Sequence, residues 1–406
     1  MTELLQTEIG ELEPIKALAY LGPKRTFTHQ AALAMLQQPG YEGYILREAQ
    51  TIGEICKRVA SRQISRGIVP IENSTGGPVK DTHQAFIDEG NLQIVGELGL
   101  PIHQTIYFQD RSKVKTVASK DQGLLQCAGG INNTFPHAEL LAMSSTGAAV
   151  AKAAEDPTVA GIGSSIAGEE YADLLQRLDY FEDNKNNTTT FVVIQPKDEI
   201  SPPTGRDKTT IIVDVPDISG GLYQTLKQFS DKGINLTKIK SLQRADGNVA
   251  FLVTVDGHTT DEPVQDALST LDKKGIRIKN MGSYQKAEYE PPNNQGSPDM
   301  KYAVSMIQKE AQGENGIKPN EAVIVFSLPN EKGALVNALK PFANAGVNLT
   351  KIDSLPSGNY GQYIFYLAFK NHLENQQNLI DQVAIVCQNV VLLNIPYEET
   401  TKGGKK

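Results

Sequence analysis

"LYQTLKQFSDKGINLTKIKSL", residues 222–242, aligns without a gap to "LVNALKPFANAGVNLTKIDSL", residues 335–355, with 12 of 21 positions identical at a constant offset of 113. Agreement of that kind marks a tandem duplication. In each copy a β-branched run ("TTIIVDVP" or "AVIVFSLP") enters a glycine turn and then an amphipathic helix, apolar at Leu222, Leu226 and Phe229 in the first copy. Gly233 and Gly346 follow the helices, where a left-handed cap suits glycine. A second strand, an alternating third strand ("NVAFLVTV" or "YIFYLAF"), a second helix and a closing strand complete β-α-β-β-α-β, the ferredoxin-like plan. The reading predicts two α/β modules, residues 208–286 and 320–398, joined by a Pro/Gly/Asn-rich linker over 287–319 that contains "YEPPNNQGSPD".

Upstream, residues 16–195 alternate short β-rich runs with helical stretches: "ALAYLG", helix 28–37, "RGIVPI", helix 80–89, "LQIVGEL", "TIYF", "KTVAS", helix 121–129, "ELLAM", helix 145–154, "VAGIGS" and helix 165–175. Such alternation predicts mostly parallel sheets with helices on their faces, here as two lobes with a cleft between them. Ligands in these folds lie outside the carboxyl ends of the strands.

The totals exclude several classes. A chain of 406 residues exceeds one core and calls for two or three domains. A formal charge of −8 argues against nucleic acid or an anionic membrane as partner. No apolar run approaches the length of a transmembrane helix, and the acidic N-terminus lacks the basic start of a secretory signal. Cys56, Cys127 and Cys387 are few and far apart, which fits a reducing cytoplasm. The six histidines show no HxxxH or HExxH spacing, so no metal site is expected, and no Gly-x-Gly-x-x-Gly supports a dinucleotide cofactor.

Small, hydroxylated or glycine-rich turns recur at strand ends: 22–31, 70–77, 118–122, 144–149, 161–165 and 186–191. In four of them polar residues precede a helix: Thr28, the 74–77 turn, Ser145 with Thr146, and Ser164 with Ser165. A helix N-terminus offers free N–H groups and partial positive charge to a carboxylate or phosphate, whereas the ordinary role of Ser or Thr there is an N-cap. Convergence of several such ends on one cleft would favour a small polyanion.

Taken in order, "GPKRTFTHQAA", "VPIENSTGG", the glutamine-containing stretch at Gln122, "SSTGAAVA", "AGIGSSIAGEEY" and "NNTTTF" resemble the signature stretches of prephenate dehydratases. The tandem modules resemble the ACT domains that follow the catalytic domain in that family. The resemblance implies a two-lobed, type II periplasmic-binding-protein-like catalytic domain over 16–195, no cofactor, and a cytoplasmic homo-oligomer, a dimer built through ACT contacts. It implies prephenate as substrate, with Thr189, Asn73 and Thr190 catalytic. The pocket would be lined by Arg25, Thr26, Thr28, Ser74, Gln122, Ser144, Ser145, Thr146, Gly163 and Phe191. Thr189 aligns with the threonine of the family's Asn-x-Thr-Arg-Phe motif, which is given the proton-donor role. As a weak acid, a threonine contributes a positioned hydrogen bond to the leaving hydroxyl.

Three departures accompany the match: Thr190 stands where the motif has arginine, Arg25 where a second glycine belongs, and Ser119-Lys120-Asp121-Gln122 where the family has Ser-His-Pro-Gln. A hydroxyl does not replace a permanently charged guanidinium with five donors. The departures point to the related prephenate decarboxylases, which keep the ring hydroxyl and give a non-aromatic product; the alternative is dehydration to phenylpyruvate. A regulator that binds a small molecule without turnover is the non-enzymatic rival. ACT modules of the family bind phenylalanine through a Gly-Ala-Leu-Val turn and a Glu-Ser-Arg-Pro stretch. The second copy keeps the turn and carries Asp353-Ser354-Leu355-Pro356 at the other position, so an aromatic amino acid effector would meet Gly333, Ala334, Leu335, Asn348 and Leu349. Two tandem copies could equally pair with each other, edge to edge.

Overall fold

A computed structural model describes residues 15–197, 201–244, 249–287, 300–311, 317, 321–357, 363–370 and 376–394. The upstream lobes each hold one sheet. The first runs Ile45–Ala49, Ile15–Leu21, Ile64–Asn73, Thr188–Gln195, Gln93–Pro101; the second runs Gln176–Leu178, Thr105–Phe108, Val159–Gly163, Thr116–Ser119, Glu139–Ala142. Both sheets are mixed rather than mostly parallel. The chain crosses between lobes twice, and each arriving strand, Thr105–Phe108 or Thr188–Gln195, enters its sheet antiparallel to its neighbour. Ile15–Leu21 with Ile45–Ala49 and Ile64–Asn73, and Thr116–Ser119 with Glu139–Ala142 and Val159–Gly163, pair in parallel and send their carboxyl ends to one edge of each sheet.

Local chemistry alters several expected elements. Helix 121–129 divides at Cys127 into Asp121–Gln126 and Ala128–Thr134, and the Asp183 carboxylate accepts the N–H groups of Gly129 (2.9 Å) and Gly130 (3.0 Å) at the new start. Helix 165–175 does not form. The Tyr107 hydroxyl donates to the carbonyls of Ser164 (2.9 Å) and Ser165 (2.8 Å), and only a 3₁₀ turn, Glu169–Tyr171, remains. Strand Ile45–Ala49 and helix Ile52–Ala60 lie in a stretch not read as structured. Within the expected linker, Met300–Ala311 is a helix that buries Ala303 and Ile307 against Val323, Val325 and Tyr366; "YEPPNNQGSPD" lies outside the described residues. No described helix is long and apolar enough to cross a membrane.

The duplicated modules share one eight-stranded sheet, joined where Leu236–Gln243 meets Leu349–Pro356 antiparallel. The join is two-fold symmetric in its hydrogen bonds. Ser241 Oγ donates to the Ile352 carbonyl (2.7 Å) and accepts from its N–H (3.0 Å), while Ser354 Oγ donates to the Ile239 carbonyl (2.9 Å) and accepts from its N–H (3.1 Å). On the axis Lys240 faces Asp353, Nζ to Oδ2 2.5 Å, a pairing that two identical copies could not make. The edge-to-edge pairing anticipated between the two tandem copies is thus made within one chain. Four helices, Gly221–Ser230, Glu262–Lys273, Ala334–Asn344 and Gln376–Val386, pack on one face. On the other face the first module packs Ile212, Leu242, Leu252 and Met281 against Val69, Ile71, Val192 and Ile194 of the first lobe.

Candidate active site

The strand Thr188–Gln195 joins the chemistry of the lobes to the modules, because successive side chains leave it on opposite faces. Thr189 lies opposite Asn73 on the neighbouring strand, and Asn73 Nδ2 donates to Thr189 Oγ1 at 2.8 Å. The same amide donates to Asn187 Oδ1 at 2.8 Å. Its Oδ1 accepts from the N–H groups of Thr75 (3.0 Å) and Gly76 (2.6 Å) and from the Thr75 hydroxyl (2.9 Å). Every hydrogen-bonding atom of the Asn73 amide is engaged, so its orientation is fixed. Ser74 Oγ accepts from the Thr188 N–H at 2.9 Å, which ties the 73–76 turn to the strand entrance. With its lone pair held by Asn73, the Thr189 hydroxyl keeps its own proton for another acceptor.

The second lobe closes on this turn. Gln126 Nε2 donates to Thr75 Oγ1 at 3.2 Å, and Gln104 Nε2 donates to Gln126 Oε1 at 2.9 Å. Gln122 also reaches over: a Cβ added at Gly76 would lie 2.4 Å from its amide nitrogen. A second bridge joins the 22–26 turn to the opposite lobe. Ser164 Oγ donates to the Arg25 carbonyl at 2.7 Å, a Cβ at Gly147 would sit 3.3 Å from the Lys24 carbonyl, and the Arg25 guanidinium pairs with Glu170. The carboxyl ends of both sheets thus face each other, and the network around Thr189 consists of neutral amides and hydroxyls. Cys127, near this wall, is no nucleophile: burial, then Glu182 and Asp183, pushes its thiol well up.

Several anticipated contacts have ordinary structural roles. Thr26 caps helix Phe27–Leu36, accepting from the His29 N–H (3.4 Å), and Ser145 caps Thr146–Glu155, accepting from the Ala148 N–H (3.0 Å). Thr28 is buried inside the first helical turn rather than before it, and Thr146 opens its helix, also buried. Gly163 lets its strand lie against a helix, since a Cβ there would meet Val150 Cγ2 at 2.9 Å. Ser144 is exposed, and Phe191 sits in the first-lobe core with Tyr20 and Ala31. Arg25 has φ 70°, the left-handed backbone that explains a glycine preference at this position.

Thr190 does not line the cleft. It points to the opposite face with Ile71 and Val192, into a cavity of about 610 Å³ between the first lobe and the modules. Strand alternation forbids adjacent Thr189 and Thr190 from sharing one wall. Gly333, Ala334 and Leu335 line this cavity, whereas Asn348 and Leu349 do not; their counterparts Asn235 and Leu236 do. The two-fold join explains the exchange, because it sets the turn of one module beside the strand entrance of the other. Asn235 Nδ2 donates to Asn330 Oδ1 (3.1 Å), and Asn348 Nδ2 makes the matching bond to Asp217 Oδ1 (2.7 Å).

Four polar residues of the network were not singled out by number in the sequence: Asn187 and Thr75, which lie in quoted turns, and Gln126 and Gln104. Asn187 is 1% exposed and its Nδ2 has no hydrogen-bond partner among the described residues, leaving one uncommitted donor in the network. The paired asparagines of "NNTTTF" were the available signal.

A family model for prephenate dehydratase matches residues 18–199. The bifunctional chorismate mutase/prephenate dehydratase of Aquifex aeolicus is 35% identical over 281 residues, 68% of this chain and 75% of that protein. The prephenate dehydratase of Methanocaldococcus jannaschii is 32% identical over 274 residues, 66% of this chain and 98% of that protein. Among solved structures, a prephenate dehydratase from Arthrobacter aurescens in complex with L-Phe is 29% identical, covers 73% of this chain and 100% of its own, and superposes with a TM-score of 0.61.

Proposed function

Because the chain belongs to the prephenate dehydratase family, a family of lyases, we propose that it converts prephenate to phenylpyruvate, carbon dioxide and water. One observation carries the reading: Thr189 Oγ1 accepts from a fully engaged Asn73 amide at 2.8 Å and so keeps its proton for the leaving hydroxyl. Loss of the ring carboxylate breaks its C–C bond and sends the electron pair into the ring. Aromatisation expels the hydroxyl, which takes up one proton from solvent and leaves as water. Thr189 stabilises the departing oxygen by a preoriented hydrogen bond, worth most in a dry, neutral site. The N-termini of helices Phe27–Leu36 and Thr146–Glu155, set in bridging turns, offer dipoles to the substrate's carboxylates.

The non-aromatising reading drew its support from a lost arginine beside the substrate. With Thr190 on the module-facing side of the strand, that part of its support weakens, and what remains are the departures at Arg25 and at Lys120 with Asp121. The reading extends to regulation: the cavity beside Gly333, Ala334 and Leu335 takes an aromatic amino acid, as the L-Phe complex of the Arthrobacter relative suggests.

The test is to incubate the protein with prephenate and follow products by NMR and mass spectrometry, beside an enzyme-free control for acid aromatisation. Phenylpyruvate is the expected product. A non-aromatic keto acid heavier by one water would establish the decarboxylase instead, and saturable binding without product would leave a regulator.

A further inference from the structure

On the module-facing side of the central strands two carboxylates are buried beside Thr190. Glu72 lies directly opposite Thr190 on one neighbouring strand, and Glu97 lies opposite Val192 on the other. Their side chains are only 8% and 7% exposed. A buried carboxylate needs a cation close by. The strand itself offers none, since position 190 carries a hydroxyl. Both cations come from the first module. Lys238 Nζ lies 2.7 Å from Glu72 Oε2, and Lys208 Nζ lies 2.9 Å from Glu97 Oε1. The second module adds the Tyr363 hydroxyl, which donates to Glu72 Oε2 at 3.2 Å. Burial alone would depress the Lys238 amine, yet Glu72 beside it holds it well above the usual range. Burial alone would raise the Glu97 carboxyl, and Lys208 and Lys238 hold it below its ordinary value.

Glu72 is also the residue before Asn73. The two alternate across the strand, so the ion pair on one face and the amide that holds Thr189 on the other share one peptide link.

We propose that Lys238 is a positioning residue for the cleft: from the first module it gives Glu72 the positive charge that position 190 lacks, and so holds the strand end from which Asn73 orients Thr189. The inference rests on the prephenate reading for its activity test. It makes the first module part of the catalytic unit, in addition to any role as a sensor. It also accounts for Thr190: two carboxylates and two lysines already balance, and an arginine there would add an unpaired charge.

Four variants test it: Lys238→Met, Lys238→Arg, Thr190→Arg, and Thr190→Arg with Lys238→Met. Lys238→Met is expected to lower kcat about tenfold with KM little changed, because Thr189 is displaced rather than a substrate contact removed. Lys238→Arg retains most of kcat. The double variant recovers at least half of the logarithmic loss, its guanidinium replacing the amine on Glu72. Amide hydrogen exchange over residues 64–77 and 188–195 supplies a readout independent of substrate, faster in Lys238→Met and slowed again in the double variant. Unchanged kcat and unchanged exchange in a folded Lys238→Met overturn the proposal, as does a double variant no better than the single. Wild-type protein inert toward prephenate would sink the prephenate reading instead, and unaltered exchange in Lys238→Met would still refute the positioning role.

Discussion

The two faces of the strand Thr188–Gln195 differ in kind. Toward the cleft, Thr189 meets Asn73, with Asn187 and Thr75 completing a network of neutral amides and hydroxyls. Toward the modules, Thr190 stands among Glu72, Glu97, Lys208 and Lys238. The neutral face suits a substrate that brings its own carboxylates, because fixed dipoles stabilise shifting charge without titrating. The ionic face suits docking, where complementary charges set register and a lost partner is costly. Adjacency in sequence hides the division, and the pleat of the strand creates it.

The largest effect that would test this division is catalytic. Thr189→Val keeps the shape and removes the donor, and kcat is expected to fall about 10²–10³-fold, the usual cost of one preorganised donor. Thr189→Ser should keep most of the activity, and Thr190→Val should change kcat by less than about threefold, all by initial rates on prephenate. Equal losses at 189 and 190 would erase the distinction between the faces.

Next comes the acid response of the ionic side. His83, on helix Lys80–Asp88, is buried, and burial first, then Lys240 and Lys238, drives its pKa down to about 3. The unfolded chain takes up a proton near pH 6.5 that the folded state refuses, so stability is fully present above 6.5 and falls as pH drops toward 3. The loss is about 1.4 kcal/mol per pH unit, so about 3 kcal/mol between pH 6.5 and 4.5. Denaturant melts across that range should show the slope, and His83→Gln should flatten it. A flat wild-type profile would mean that the module side is no more acid-labile than the cleft.

The duplicated half was legible because a gapless repeat carries strand, turn and helix signals together, and each copy folds as βαββαβ. The strands of the upstream half were legible from their β-branched runs. Its sheet directions were not, because two crossings between lobes decide them and leave no local mark. In the site, Asn73 and Thr189 were each readable through the family's signature stretches, and their hydrogen bond was not. The side of the strand on which Thr190 falls required knowing that both faces are covered: with helices over one and modules over the other, its residues are buried throughout and show no alternation of polarity. Asn348 and Leu349 were assigned within one module, when the two-fold join sets Asn235 and Leu236 of the first module beside Gly333, Ala334 and Leu335 of the second.

The smallest prediction bears on an ion pair at the cleft, that of Arg25 with Glu170. Arg25 has a left-handed backbone, which costs a non-glycine residue about 1 kcal/mol. Its pair with Glu170 is partly exposed on both sides and so contributes little to stability. Arg25→Gly should therefore stabilise the protein by about 1 kcal/mol, read by denaturant melts, because glycine adopts this conformation without strain. The Arg25 carbonyl still accepts from Ser164 in that variant, so the lobes keep a neutral bridge and kcat should change by less than about twofold. Glu170→Gln, which leaves the backbone strained, should match wild type in rate and gain no stability. A tenfold loss of kcat in both variants would make the ion pair part of the cleft's work, and the contrast between a neutral catalytic face and an ionic docking face would no longer hold.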